Sequence, residues 1–588
     1  MAGAPLTLVD LLTRAARVPD AGLRFLDRQE RERWIAWPAM LERARGVAGG
    51  LQAIGVRRGD FVALVFPTEP EFLDAFFGTV LAGAVPAPLY PPVQLGRLDE
   101  YLRRTSSMVR ASGARLILAN WRVGGLLGEV VRRSRPALGC LALDQLPEGT
   151  SDLPDVGPLD LALVQFSSGT TAEPKPVALS HRAVVSQATL LNSYWPGRDG
   201  PESGVSWLPL YHDMGLVGTI FTALERPGSV TLIPPELFVA RPAVWLRAIS
   251  RYRATVSPAP NFAYAHAVAR IEDGELDGVD LSSWRVALCG GETVVPRVLR
   301  AFAERFAGWG FRAEALTPVY GMSEATLAVT FSDLERPFRS QRVNRARLAL
   351  DGAVERDADG VELVSLGRPV PGFEIRIVGN EGTALPDGRL GVVECRGPSV
   401  MDGYLGQPDG TAKVIRDGWL DTGDLGFLLD GDLYVSGRAK DMLLIRGRNY
   451  APDDVERTVD AVPRVRPGRS VAVSWLPEAA YGEELYLFVE AARGVPASEF
   501  DAIARASSEA VIAATGLAPD RVLVLEPGTL PRTTSGKLRR QETLSRFLDG
   551  ALSAPRAVTP LRLAGAVARS WLAYRQTRTR GSTGDPDA

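Results

Sequence analysis

The chain is predicted to be α/β: a large N-terminal domain of parallel-sheet subdomains plus a β subdomain, then a small C-terminal α/β domain. Three observations predict this. Apolar runs such as FVALVF (61–66), ARLILAN (114–120) and RVALCGG (285–291) alternate with helical periodicity and lack a polar face, as strands covered on both sides do. After about residue 365 the texture changes to strand alternation punctuated by PDG and DG turns. From Gly437 strands and helices alternate again to about residue 550. A chain of 588 residues is too long for one core and divides into domains.

The elements follow in order. Residues 40–56 carry helical periodicity that stops at a glycine, and FVALVF is the buried strand after it. EFLDAFFGTVLAGAV (71–85) is a helix ending before Pro86. The most apolar stretch, Ala75–Tyr90, is short for a membrane span and is interrupted by glycine and two prolines, so it reads as a buried helix plus a turn. LALVQF (161–166) is a strand that leads into SSGTTAEPKP, and ALSHRAVVSQATLL is the helix beyond it. SVTLIP (229–234), ATVSPAP (254–260) and RVALCGG continue the parallel pattern. FEIRIV, GVVECRG and GFLLDGDLYV build the β subdomain, with Asp430-Gly431 as its hairpin turn. The organisation is then 1–436, 437–550 and a tail, 551–588, with one helix (Pro560–Arg575; Leu561, Val567, Trp571 and Leu572 on one face) before a polar end, GSTGDPDA, expected to be disordered.

Composition narrows the function classes. Apolar content of 46%, charged content of 23% and a net charge of −2 are those of an ordinary globular protein and make no electrostatic case for nucleic acid or an anionic membrane. Three cysteines, Cys140, Cys289 and Cys395, have no metal-ligand spacing and suit a reducing, cytoplasmic setting. The N-terminus lacks a continuous apolar run, so neither a signal peptide nor stable membrane insertion is expected.

Of the 67 Lys and Arg residues only four are lysines, Lys175, Lys413, Lys440 and Lys537. Lysine is a compact point charge on a thin stem, suited to reaching one phosphate or carboxylate oxygen. Three of the four lie in motif-like segments: SSGTTAEPKP, SGRAKD and PRTTSGKLRR. The first offers backbone N–H groups and hydroxyls to phosphate oxygens, and Lys175 adds charge. By itself such a segment is more often an ordinary turn, and it is not a Walker loop. In YGMSEATLAV (320–329) Glu324 stands at the expected start of a helix, where Ser323 would cap and a carboxylate suits the first turn; alternatively Glu324 is a Mg²⁺ ligand beside an aromatic wall. WLDTGDLG (419–426) holds two aspartates near a hairpin, either turn-forming or placed to bind the hydroxyls of a ribose.

Taken in order, these segments resemble the adenylate-forming superfamily of acyl-CoA synthetases, adenylation domains and luciferases, from about residue 25 to about 548. Within it, WLPLYHDMGLVG (207–218), PNFAYAHAVAR (260–270), SLGRPVPGFEIRIV (365–378) and IRGRNYAPDDVE (445–456) are most similar to fatty acyl-AMP ligases. The resemblance implies ATP and Mg²⁺ as cofactors, a fatty acid substrate and an acyl carrier protein as acceptor. It implies that Ser168, Gly169, Thr170, Thr171 and Lys175 hold phosphates. Gly291, Glu292, Tyr320, Gly321, Met322 and Ser323 surround the adenine, and Asp424 and Arg438 hold the ribose. Glu324 is the implied metal ligand. His212 lies near the acyl carboxylate and α-phosphate, Lys440 is the hinge of a mobile small domain, and Lys537 is the catalytic lysine. A subfamily insertion is expected at about 339–364. Two positions depart from the common phosphate loop, Ala172 and Pro176, and Ser323 stands where acyl-AMP ligases often carry alanine. The rival readings are a fatty acyl-CoA synthetase and an inactive acyl- or nucleotide-binding homologue.

Overall fold

The computed structural model describes residues 6–92, 97–149, 153–167, 174–194, 202–334, 336–379, 382–445, 448–477, 483–533, 536–554, 565, 567–570 and 573. Its largest sheet has nine strands in the order Arg368–Pro369, Ala328–Phe331, Leu316–Gly321, Val286–Cys289, Val256–Ala259, Ser203–Ser206, Ser229–Leu232, Gly22–Leu26 and Glu32–Ala36. The six from Leu316–Gly321 to Gly22–Leu26 run parallel, and antiparallel strands close both edges. A second, all-parallel sheet orders Val85–Leu89, Phe61–Val65, Leu116–Ala119 and Cys140–Ala142. Helices cover these sheets. Under the first, Trp245, Tyr264, Trp284, Phe302 and Phe306 are fully buried and meet mostly edge to face or tilted. Each such pair adds roughly 0.5–1.5 kcal/mol beyond its buried area.

Three local expectations are corrected. The apolar stretch before Tyr90 is not a helix plus a turn. The helix is Pro70–Leu81, and VPAPL (85–89) is a fully buried strand. Its two prolines are tolerated because the strand ends the sheet, where no ladder N–H is missed on the outer side. Likewise Pro176–Ser180 is a strand, antiparallel to Leu161–Phe166, and the helix begins only at His181. Leu161–Phe166 thus belongs to a small antiparallel sheet with Gly403–Tyr404 and not to the parallel series. Finally, no regular helix starts at Glu324: Ser323–Ala325 is a single 3₁₀ turn before the strand Ala328–Phe331.

The β subdomain is a five-stranded antiparallel sheet built on Glu374–Val378, Gly391–Arg396 and the long strand Trp419–Leu429. That strand returns as Asp432–Arg438 through Asp430 and Gly431, both at positive φ (56° and 81°), as a primed hairpin turn requires. Beyond Arg438 the strands Val465–Trp475, Glu484–Ala491 and Arg521–Leu525 carry their own apolar cluster around Val455, Leu485, Leu487 and Val511. The helix Arg540–Leu548 packs on the other face of that sheet.

Residues 340–364 form an antiparallel pair, Ser340–Val343 with Val361–Val364, around the helix Arg345–Asp351. Val343 and Leu348 pack on Phe427 and Tyr434 of the β subdomain. Arg345 reaches Asp454, in the helix Pro452–Val459, at 3.7 Å. In the tail, the described residues between 565 and 573 are helical, and Ser570 and Ala573 are buried. The Ser570 hydroxyl accepts the Gly128 N–H at 2.8 Å, so the tail docks on the N-terminal part of the chain. Leu561, Trp571, Leu572 and GSTGDPDA lie outside the described residues.

Candidate active site

The site grows from the ends of these strands. The hairpin of Leu161–Phe166 and Pro176–Ser180 frames the predicted phosphate loop, and its neck is closed by Ser167 N–H to the Lys175 carbonyl at 3.0 Å. Ser168, Gly169, Thr170, Thr171 and Ala172 lie outside the described residues. Pro176 costs the hairpin nothing visible: it opens the strand opposite Phe166. The Lys175 ammonium sits 4.4 Å from the Tyr404 ring centroid, and the Tyr404 hydroxyl donates to Glu324 Oε1 at 2.9 Å. One aromatic side chain thereby meets a cation on its ring face and a carboxylate at its hydroxyl.

The Tyr320–Glu324 segment owes its shape to glycine. A Cβ on Gly321 would lie 1.8 Å from the Leu327 carbonyl oxygen, so only glycine allows the turn to fold back. Met322 N–H donates to that carbonyl at 2.7 Å. Ser323, expected as a helix cap, instead donates its hydroxyl to Asp213 Oδ2 at 2.5 Å.

The two ends of the long hairpin bring Asp424 directly opposite Arg438. Arg438 Nε lies 3.0 Å from Asp424 Oδ1, while the Tyr320 hydroxyl donates to Oδ2 at 2.6 Å. Burial, and then the Asp424 charge, push the Tyr320 phenol well above its usual range, so it remains a donor. Asp424, Arg438 and Tyr320 are thus one connected unit.

His212 Nδ1 lies 2.5 Å from Asp213 Oδ1. Gly291 is at φ +76°, a conformation side chains resist, and a Cβ there would press on Met214 at 3.0 Å. Glu292 accepts the Phe262 N–H at 2.6 Å. Burial raises the Glu292 carboxyl, opposed by that hydrogen bond and by Lys537.

Lys537 enters this site from the C-terminal region. Its backbone closes a tight loop with Thr533: Thr533 N–H donates to the Lys537 carbonyl at 2.8 Å, and Lys537 N–H to Thr533 Oγ1 at 3.0 Å. Burial and then the Arg438 charge depress the Lys537 ammonium, while Asp213, Glu292 and Asp424 pull the other way. Lysine 440 lies about a hundred residues earlier, in the three-residue turn Ala439–Asp441 that leaves the hairpin. Its ammonium is lowered by burial and by Arg438. A cavity of ≈ 40 Å³, room for about three waters, separates Ser167, Pro174 and His212 from Thr533 and Arg539.

The described members of the predicted set therefore converge: Lys175, His212, Gly291, Glu292, Tyr320, Gly321, Met322, Ser323, Glu324, Asp424, Arg438, Lys440 and Lys537. Two contributors escaped the sequence reading. Tyr404 links Lys175 to Glu324, and Asp213 holds both His212 and Ser323. Asp213 had a signal, being a carboxylate inside the apolar run LPLYHDMGLVG, where charge is rarely buried without a task. Tyr404, in GYLG, had none. Among the described residues no cluster of three or more His, Cys, Asp or Glu could hold a metal unaided. Glu324 fits Mg²⁺ all the same: it is a hard oxygen donor, and this ion is commonly held by one or two carboxylates together with substrate phosphates.

The chain is similar to known proteins over most of its length. The family model of the AMP-binding enzymes matches residues 12–405. The medium-chain-fatty-acid–[acyl-carrier-protein] ligase JamA of Moorena producens is 31% identical, over 93% of this chain and 96% of its own. An acyl-CoA synthetase by name from Caulobacter vibrioides is 33% identical, over 88% of this chain and 91% of its own. A structure from a study of fatty acyl-adenylate ligases of E. coli and L. pneumophila superposes with a TM-score of 0.87 at 33% identity, covering 92% of this chain and 98% of its own. With the family model matched over two thirds of its length and relatives above 30% identity covered nearly end to end, the chain belongs to the AMP-binding enzyme family.

Proposed function

We propose that this enzyme is a fatty acyl-AMP ligase. It joins a fatty acid to ATP as an acyl-adenylate, releasing pyrophosphate, and passes the acyl group to the phosphopantetheine thiol of an acyl carrier protein. The observation that carries the proposal is Lys537, drawn among Asp213, Glu292 and Asp424 beside His212 and Arg438. A fatty acid carboxylate attacking the α-phosphorus brings two anions together. The oxygen–phosphorus bond forms as the bond to the bridging oxygen of pyrophosphate breaks. That step needs alignment and charge neutralisation more than a base. Lys537 supplies a cation between carboxylate and α-phosphate. Lys175 and the loop Ser168–Thr171 hold the outgoing phosphates, Asp424 and Arg438 the ribose, and Tyr320 the adenine face. Glu324 would hold Mg²⁺, which supplies charge neutralisation on the phosphates. A mixed anhydride hydrolyses readily, so the reading requires that the site exclude water once the adenylate has formed.

For transfer, Lys537 must leave so that a thiol can reach the acyl carbonyl, and the turn at Lys440 is the hinge. Among the described residues no helix is long and apolar enough to cross a membrane. The test is ATP-dependent pyrophosphate release over fatty acids of graded length, in wild type and Lys537→Ala. The variant should lose on the order of 10²–10³ in rate while ATP still binds. Near-normal release in Lys537→Ala would sink the assignment. The acyl-CoA synthetase reading is separated by the acceptor: acylation of CoA as fast as of a phosphopantetheinylated carrier would favour it.

A further inference from the structure

Asp213 belongs to neither half of the site alone. It is 6% exposed, and each oxygen is engaged from a different element. Oδ1 faces His212 Nδ1 at 2.5 Å and accepts the Met214 N–H at 2.7 Å. Oδ2 accepts the Ser323 hydroxyl at 2.5 Å, from the turn that carries Glu324. Among the described residues no arginine pairs with it. The full cation that it attracts is Lys537, which arrives from the other domain. Burial works against the Asp213 charge. The His212 imidazole, the Ser323 hydroxyl and the Met214 N–H outweigh burial and hold the carboxyl below its ordinary range.

We propose that Asp213 is a positioning residue of the adenylation half-reaction: it orients His212 and ties the His212 loop to the Ser323–Glu324 turn. The inference rests on the functional reading above and on the place near the acyl carboxylate and α-phosphate that the resemblance implies for His212. The reasoning is local. A carboxylate at Nδ1 selects the tautomer with the proton there and fixes the ring plane, leaving Nε2 as the free nitrogen. Ser323 gives this chain a particular signature. Its hydroxyl is what fixes Oδ2, and an alanine at this position could not do so.

The experiment compares Asp213→Asn, Ser323→Ala and the double variant with wild type, as full-length protein. Asparagine keeps the shape, with an oxygen for His212 and the Met214 N–H and an amide that a rotated Ser323 hydroxyl can accept. Two rates are read: pyrophosphate release with ATP and a fatty acid, and transfer from preformed acyl-AMP to a phosphopantetheinylated carrier. Asp213→Asn should lower kcat for pyrophosphate release on the order of 10²-fold, with KM for ATP and the transfer rate within about threefold of wild type. Ser323→Ala should lose about tenfold in the first rate only, at an unchanged Tm, and the double variant should be no slower than Asp213→Asn alone. Should Asp213→Asn not fold, the Ser323→Ala split between the two rates decides by itself. Equal loss in both half-reactions, additive losses, or near-wild-type adenylation in these variants overturns the inference. Absence of fatty-acid-dependent release in wild type instead overturns the functional reading beneath it.

Discussion

Arg104 is where the closed arrangement can be loosened without touching the reacting groups. It lies on the helix Leu98–Ala111, and its Nη2 lies 2.6 and 2.7 Å from the two oxygens of Glu542, on the helix that follows Lys537. Arg546 crosses the same boundary to Glu100 at 2.6 Å, and Arg97 donates to the Gly528 and Thr529 carbonyls at 2.9 Å. The side chains of Arg104 and Glu542 are only 17% and 9% exposed. Burial disfavours the Glu542 charge, but Arg104, Arg539 and Arg546 override it and lower the carboxyl to about 2. Arg104→Gln leaves the small domain intact and removes one largely buried, two-contact pair. Breaking a fully buried pair costs roughly 3–5 kcal/mol. With residual exposure and the neighbouring contacts, about 2–3 kcal/mol is reasonable here. That shifts the closure equilibrium by roughly 30- to 150-fold. Pyrophosphate release should fall by up to that factor and fall further with added salt, while transfer from preformed acyl-AMP should hold or rise. Hinge proteolysis should report the more open population. Unchanged adenylation in Arg104→Gln, or equal loss in both half-reactions, would refute the view that this contact holds the adenylating orientation.

Other expectations are equally specific. Lys440→Pro fixes φ near −65° in the Ala439–Asp441 turn; adenylation should persist and transfer fail when the two are assayed separately. Replacing 345–358 with a tight turn removes the Arg345–Asp454 contact but keeps the strand pair, and should raise CoA acylation with pyrophosphate release retained; no gain with CoA would clear the insertion of any role in acceptor choice. His181 is buried, accepts the Leu8 N–H at Nδ1, and has its pKa lowered by burial to about 4 from 6.5. The folded state therefore binds the proton less well than the unfolded one. The stabilisation is complete above pH 6.5 and drains as pH falls toward 4, by up to about 3 kcal/mol. His181→Gln should flatten the dependence of Tm on pH across that window, and an unaltered slope would assign the acid sensitivity elsewhere. Gly128→Val puts a side chain where a Cβ already lies 2.0 Å from the Ser570 carbonyl oxygen; the tail should become cleavable by protease, with Tm of the remainder little changed.

The sequence by itself determined the class of the fold and much of the chemistry, because both depend on local pattern. Uninterrupted apolar runs announced a sheet covered on two faces. Asp430-Gly431 announced its hairpin, since few other pairs reach positive φ twice in succession. The scarcity of lysine drew attention to Lys175, Lys440 and Lys537 before any fold was known. Local pattern misled where the partner of a segment decides its state. VPAPL reads as a break, yet a sheet edge accepts prolines whose missing N–H groups face outward. ALS (178–180) reads as the start of a helix until Leu161–Phe166 is there to pair with it. Ser323 reads as a cap until Asp213, 110 positions away, takes its hydroxyl. Only the tertiary structure could bring Lys537 from near the end of the chain to Glu292, Asp213 and Asp424, because that meeting is set by the docking of Arg540–Leu548 against Arg104. Contacts between distant segments depend on the packing of whole domains, and no short window of sequence records them.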